Sequence, residues 1–108
     1  MELEYECNLI SYSGSARSKA IFAIRQARQG NFEEARALLE EADAQLMQAH
    51  DIEKEIITRE ARGEVFSSGV LMIHAQDHLN AATLTISSAE ELIPLYERLT
   101  NLEKKVME

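Results

Sequence analysis

The sequence contains few of the residues that cross-link or interrupt a polypeptide chain. Among its 108 residues are one cysteine, one proline, four glycines and no tryptophan. The single cysteine, Cys7, excludes an internal disulfide, and a chain without disulfides fits the reducing environment of the cytosol. Because proline and glycine are the strongest breakers of secondary structure, their scarcity predicts long, continuous elements.

An excess of positive charge is also missing. The chain has 11 lysine and arginine residues against 19 acidic ones, which gives a formal net charge of -8. Nucleic acids are bound by basic surfaces, so this balance predicts no nucleic-acid partner. It also disfavours binding to anionic membranes. A protein with a basic surface is the partner that suits such a chain.

Long hydrophobic runs are absent as well. No apolar stretch approaches the ~20 residues of a membrane span, and the acidic first residues do not resemble a signal peptide. We therefore predict a cytoplasmic protein with no direct membrane insertion. With 108 residues and 45% hydrophobic content, the chain is long enough for one domain with a modest core.

Helical periodicity is what the sequence does contain. Apolar and small residues recur every three or four positions, and strand-like alternation is absent, so we predict an all-α protein. Glycines and polar connections divide the chain into helices at about 2–29, 31–60 and 67–106. Because the first connection is very short, the helices are expected to pack antiparallel as a three-helix protomer.

Two local signals refine these helices. Asn31, with a glutamate three residues later, predicts a capping box at the start of the second helix. In the third helix, Ser88 and Glu91 resemble a second capping box, and Pro94 fits poorly inside a helix. These residues predict a kink or a restart near 88–94.

The third helix has no clear polar face between Val70 and Ile86. A helix that is apolar on all sides is normally buried on all sides. Two partner helices from the same chain cannot surround a third, so part of this surface would stay exposed in a monomer. This pattern predicts that the chain oligomerises through its third helix.

The stretch HAQDHL, at residues 74–79, places two histidines and an aspartate in this apolar helix. At 100° per residue, His74, Asp77 and His78 project from one face. Spacing alone leaves three interpretations open. The residues fix the register of an oligomer interface, ligate a metal ion, or include a nucleophilic histidine.

Five motifs, in order, make the sequence resemble a known family. They are YSGSARSKA, GNFEEARALLEEA, AH at residues 49–50, REARGE and HAQDHL. Together they resemble the lactose/cellobiose-type (also diacetylchitobiose) IIA subunits of the phosphoenolpyruvate-dependent sugar phosphotransferase system. The resemblance spans nearly the whole chain and implies a single IIA domain at 1–108. It also implies a homotrimer, which is a nine-helix bundle in total.

The resemblance implies roles for the two histidines and the aspartate of HAQDHL. By position, His74 accepts phosphate from the phosphocarrier HPr and passes it to a cysteine of the IIB subunit. By position, Asp77 meets its symmetry mates on the trimer axis, where a divalent cation, expected to be Mg²⁺, serves a structural role. Without a cation or shared protons, such carboxylates repel one another. His78 is expected to assist His74, and the membrane transporter IIC is an indirect partner that selects the disaccharide.

Two other functions use the same residues. One is a non-catalytic trimeric helical adaptor, which predicts no phosphate uptake. The other is a metal-dependent hydrolase built on His74, Asp77 and His78, which needs further carboxylates nearby. The resemblance along the whole chain favours the phosphoryl carrier, with His74 as the nucleophile.

Overall fold

The computed structural model describes residues 3–66 and 69–108, and this part of the chain forms three α-helices. α1 spans Glu4–Arg28, α2 spans Phe32–Ala61 and α3 spans Val70–Met107. The molecule is elongated, with principal extents of 65 × 20 × 17 Å. The prediction of an all-α, three-helix protomer is confirmed.

The helix ends differ from the sequence-based bounds by a residue or two where both are described. α1 ends at Arg28 rather than 29, and α2 covers Phe32–Ala61 rather than 31–60. The predicted starts of the first helix at residue 2 and of the third at residue 67 lie outside the described residues. Among the described residues, α3 begins at Val70.

A left-handed glycine joins α1 to α2. Gly30 has a φ of 88°, a conformation that a residue without a Cβ adopts at little cost. Its N–H donates to the Ala27 carbonyl at 3.0 Å, and the Asn31 N–H donates to the Gln26 carbonyl at 2.9 Å. These two bonds close the end of α1 and turn the chain directly into α2.

The predicted capping box at this turn is wrong, although Asn31 does occupy the N-cap position. The Asn31 side chain makes no hydrogen bond to the start of α2. Its Nδ2 donates instead to Gln26 Oε1 at 2.9 Å. Because the Asn31 backbone also bonds to Gln26, the side chain is held on the α1 side of the turn.

α1 is the central helix, because it packs along both α2 and α3, which contact each other less. Its buried face consists mainly of small residues: Ser13, Ala16, Ala20, Ala23 and Ala27. Buried alanines also recur every seven residues on the neighbouring helices: Ala35, Ala42 and Ala49 on α2, and Ala75, Ala82 and Ala89 on α3. Small side chains let helix axes approach closely, and a seven-residue repeat keeps the contact continuous.

Two polar side chains of α1 interrupt this core. Glu6 is 1% exposed and Ser13 is fully buried. Glu6 Oε2 and Ser13 Oγ have no hydrogen-bond partner within the described part of the chain. Unpaired buried polar atoms are uncommon in folded proteins and cost stability.

α3 continues as one helix through the region in which sequence signals predicted a restart. The restart at Ser88 does not occur, because the helix runs without a break past Pro94. Ile86, Ala89 and Ile93 are all buried against the other helices, and this packing holds the helix together. Proline removes one backbone hydrogen bond here, and its ring is exposed. The kink near 88–94 stays a prediction.

Across the part of the chain that the structure describes, none of the helices combines the length and the apolar character needed to span a membrane.

Candidate functional site

The HAQDHL residues lie close to the start of α3. His74 is four residues after Val70, which places it about 6 Å along the helix axis from the first residue. Ala75 and Leu79 are buried against the core. These two anchors turn the other side of the helix outward, so that His74 is exposed and His78 is half-buried.

The two histidines form a close pair. Nε2 of His74 lies 3.1 Å from Nε2 of His78, and the rings meet edge to face at 89° with centroids 4.5 Å apart. Residues four apart are neighbours on a helix surface. At this distance one Nε2 carries the proton and donates it to the lone pair of the other. The tautomer of each imidazole is therefore linked to that of its partner.

Asp77 stands apart from this pair. Helical spacing places it about 60° to one side of His74, whereas His78 is about 40° to the other side. The Asp77 side chain is exposed and makes no hydrogen bond or ion pair with the described residues. Among these residues, no group of three or more histidines, cysteines, aspartates or glutamates is arranged to hold a metal ion. One protomer thus brings together two of the three predicted site residues.

The side of α3 that faces away from α1 carries a row of exposed residues, here called the outer stripe. It comprises Val70, Ile73, Asp77, Leu84, Ser88, Glu91, Leu95, Leu99, Leu102 and Val106. Leu84 is 69% exposed and Leu95 is 58% exposed. Asp77 lies seven residues before Leu84, and a seven-residue separation keeps both side chains on nearly one line. The protomer therefore leaves a long and mainly apolar row uncovered, and Asp77 lies within it.

A second cluster, which sequence reasoning missed, is centred on Arg59 near the end of α2. The Arg59 Nη1 donates to Tyr5 Oη at 2.7 Å, and Nε and Nη2 donate to Glu64 Oε1 at 3.0 and 2.7 Å. The guanidinium carbon lies 5.4 Å from the Tyr5 ring centroid and 5.3 Å from that of Phe66. Tyr5 in turn donates to Glu55 at 3.0 Å. This cluster gathers α1, α2 and the α2–α3 connection.

The same contacts shift two pKa values in opposite directions. The hydrogen bond that Arg59 donates to Glu64, followed by the one it donates to Tyr5, raises the pKa of Arg59 above its usual range. The hydrogen bond from Arg59 lowers the pKa of the Glu64 carboxyl. Both shifts follow from the stabilisation of a charged group by its partner. The only sequence signal for this cluster was the motif REARGE, residues 59–64.

The remaining candidates are separate from the histidine pair. His50 is an exposed residue of α2, and its Nδ1 lies 3.7 Å from Glu53 Oε1 within the same helix. Cys7 is a free, exposed thiol on α1. Gln76 is half-buried, and its position two residues from each histidine directs it to a different side of α3.

Comparisons with known proteins agree with this architecture. A sequence model of the lactose/cellobiose-specific IIA subunit of the PTS system matches residues 4–97. The lichenan-specific phosphotransferase enzyme IIA component of Bacillus subtilis (strain 168) is 44% identical over 92 residues, which cover 85% of this chain and 84% of that protein.

Solved structures show the same fold. The crystal structure of the PTS cellobiose-specific enzyme IIA from Bacillus anthracis matches with a TM-score of 0.90 at 40% identity, covering 94% of each chain. A chain from the solution structures of the IIA(chitobiose)–HPr complex of the Escherichia coli phosphotransferase system matches with a TM-score of 0.76 at 34% identity. The match covers 93% of this chain and 98% of the chain in the complex.

The helical fold and these matches define a component of the sugar phosphotransferase system. Within that system, the chain belongs to the lactose/cellobiose-specific IIA subunit family. The resemblance derived from the five sequence motifs is confirmed.

Proposed function

We propose that the protein is a phosphoryl carrier in which His74 accepts a phosphoryl group from HPr and passes it to a cysteine of a IIB subunit. The observation that carries this proposal is the imidazole pair. His74 is exposed, which lets a partner protein reach it, and His78 touches its Nε2 at 3.1 Å. A fixed and accessible imidazole suits a reaction that depends chiefly on positioning.

The first transfer is an in-line displacement at phosphorus. An unprotonated ring nitrogen of His74 supplies the electron pair for the new N–P bond. The bond between phosphorus and the donor histidine of HPr breaks, and its electron pair returns to the donor ring. In the second transfer, a thiolate of IIB attacks the same phosphorus, and the electron pair returns to His74. The hydrogen bond between the two Nε2 atoms couples the tautomer of His74 to that of His78 before the first step.

HPr is the proposed donor because a related IIA chain has been solved in a complex with HPr. Charge supports this assignment, since the chain carries a formal net charge of -8. An acidic carrier and a basic donor surface attract each other and associate faster. IIB is the proposed acceptor, and the membrane transporter IIC is the indirect partner that moves the sugar. The substrate class is a disaccharide such as lactose, cellobiose or diacetylchitobiose.

The proposed assembly is a homotrimer formed along the outer stripe. Its apolar members Leu95, Leu99, Leu102 and Val106 follow one another at intervals of four, three and four residues. This is the spacing of a coiled-coil seam. Three copies of α3 joined along such a seam bury apolar surface that one protomer leaves exposed.

The trimer also gives Asp77 a role. A single chain offers the Asp77 carboxylate on the outer stripe, with no hydrogen bond or ion pair to the described residues, and a threefold axis brings three such carboxylates together. Oxygen donors of this kind fit Mg²⁺. The Asp77 carboxylates would hold the cation, which supplies positive charge that offsets their mutual repulsion. The role is structural, and neither transfer step passes through the ion.

The test is phosphate incorporation from phosphoenolpyruvate in the presence of Enzyme I and HPr. We expect wild type to become labelled and His74→Ala to remain unlabelled. His50→Ala is the matched control, because His50 is an exposed histidine on another helix. It should label like wild type. Equal labelling of His74→Ala and wild type would show that another residue accepts the phosphate, and an unlabelled wild type would favour the adaptor.

A further inference from the structure

The α2–α3 connection is held in a defined shape at its first residues. Gly63 has a φ of 90°, which suits glycine. The Gly63 N–H donates to the Glu60 carbonyl at 3.0 Å, and the Glu64 N–H donates to the Arg59 carbonyl at 3.2 Å. This pair of bonds ends α2 and sets the direction in which the chain leaves the helix.

Arg59 then holds the connection a second time, through its side chain. Its guanidinium binds the Glu64 carboxylate at 2.7 and 3.0 Å and lies over the Phe66 ring at 5.3 Å. Phe66 is also half-buried against the core and meets the Tyr5 ring edge to face at 5.5 Å. Two positions of the connection, on either side of residue 65, are thereby attached to the helices.

Val65 lies between these two anchors and is 95% exposed. An isolated apolar residue on a surface is ordinary, but this one is carried by a segment whose neighbours on both sides are fixed. A contact residue that is held in place before binding loses less conformational entropy when a partner arrives. In the sequence, Val65 precedes His74 by nine residues, and His74 lies near the start of α3.

Charge also favours a protein partner at this position. The Glu64 carboxylate is paired with Arg59 at 2.7 Å, so the acidic group next to Val65 is already neutralised. Apolar contacts that are flanked by satisfied polar groups are characteristic of protein–protein interfaces. The long-range attraction of the acidic chain brings a basic donor near, and an apolar contact then prolongs the encounter.

We propose that Arg59 is a positioning residue that fixes residues 64–66, so that Val65 forms a contact with the phosphoryl-donor protein as it approaches His74. This inference rests on the proposed function, because it takes the donor to be a protein that must reach His74. It assigns a task to the REARGE motif, whose first residue is Arg59 and whose last is Glu64.

The experiment measures the rate of His74 phosphorylation against the concentration of phosphorylated HPr, well below the melting temperature of each variant. Val65→Ser should raise KM about fivefold, the effect of losing one buried valine contact, and leave kcat and Tm unchanged. Arg59→Lys keeps the charge and loses the planar fork, so it should raise KM by a similar factor and also lower Tm. The double variant should show no further increase in KM, because Arg59 acts through Val65.

Met47→Ser is the matched control, because Met47 is a 63% exposed apolar residue in the middle of α2. Its KM should equal that of wild type. The proposal is overturned if Val65→Ser has a wild-type KM, or if Arg59→Lys lowers Tm and leaves KM unchanged. It is also overturned if light scattering shows that Val65→Ser changes the oligomer mass, since Val65 is then a contact between subunits. Failure of wild type itself to become phosphorylated would refute the proposed function and this inference with it.

Discussion

At the scale of single residues, the contact between His78 and His74 is the feature most directly tied to chemistry. We predict that His78→Ala slows phosphorylation of His74 by about three- to tenfold, which corresponds to the loss of one hydrogen bond. His78→Asn, which retains a donor and an acceptor, should recover part of the rate. Rapid-quench labelling with phosphorylated HPr measures both variants. A wild-type rate for His78→Ala would mean that the 3.1 Å contact has no part in the transfer.

The pairing of Glu64 with Arg59 predicts a pH-dependent contribution to stability. Because this contact lowers the pKa of Glu64 in the folded state, the folded protein holds the proton less tightly than the unfolded chain does. The contribution is therefore complete above the ordinary glutamate pKa of about 4.3 and is lost as the pH falls through the folded-state value.

Urea unfolding of wild type and Glu64→Gln at neutral and acidic pH measures this effect. Wild type should be the more stable protein near neutral pH, and the difference should shrink on acidification. Glu60→Gln is the control, because Glu60 is exposed on the same helix end and forms no ion pair within the described residues. A stability difference for Glu64→Gln that grows at acidic pH would contradict the assignment.

Helical geometry and the family resemblance together predicted only part of the site. Periodicity placed His74, Asp77 and His78 on one broad face, but it did not reveal that only the histidines touch. The Arg59 cluster was not predictable in this way, because Arg59 and Tyr5 are 54 positions apart. Contacts between distant residues depend on how helices pack, and single-helix periodicity contains no information about that.

At the scale of helices, the small residues of α1 determine how closely its neighbours pack. We predict that Ala20→Leu lowers the free energy of unfolding by about 1–3 kcal/mol, because added methyl groups force the helices apart. Ala20 is fully buried. Ser18→Leu is the control on the exposed side of α1 and should leave stability nearly unchanged. Chemical denaturation gives both values. Equal stability of wild type and Ala20→Leu would contradict the close packing along α1.

The three helices were predictable from periodic patterns that extend over many residues. Signals from single residues at helix ends and possible kinks were less informative. The three helices and the buried stripe of α1 follow from repeated spacing, which many residues specify together. Asn31 and Pro94 do not behave as such residues usually do: Asn31 makes no side-chain cap bond, and Pro94 does not end α3. The side chain of Asn31 bonds backward to Gln26, and burial of Ile93 holds α3 together beside the proline. Packing that involves a whole helix outweighs the preference of one residue.

At the scale of the whole molecule, the outer stripe predicts self-association. We expect light scattering to give the mass of a trimer, and Leu84→Glu to reduce it toward that of a monomer. Leu84 is 69% exposed in the protomer, and a charge there would be buried without a partner in the trimer. Met47→Glu places the same charge on an exposed part of α2 and should leave the mass unchanged. A wild-type monomer at micromolar concentration would contradict the proposed assembly.

The central claim is that His74 carries the phosphoryl group, and peptide mapping of the phosphorylated protein tests it most directly. After incubation with phosphoenolpyruvate, Enzyme I and HPr, the protein is digested under alkaline conditions, in which phosphohistidine survives, and fragmented by mass spectrometry. The account predicts one added phosphoryl group per chain, located on His74 and absent from His78 and His50. A phosphoryl group on any other residue, or none on a folded protein, would contradict it.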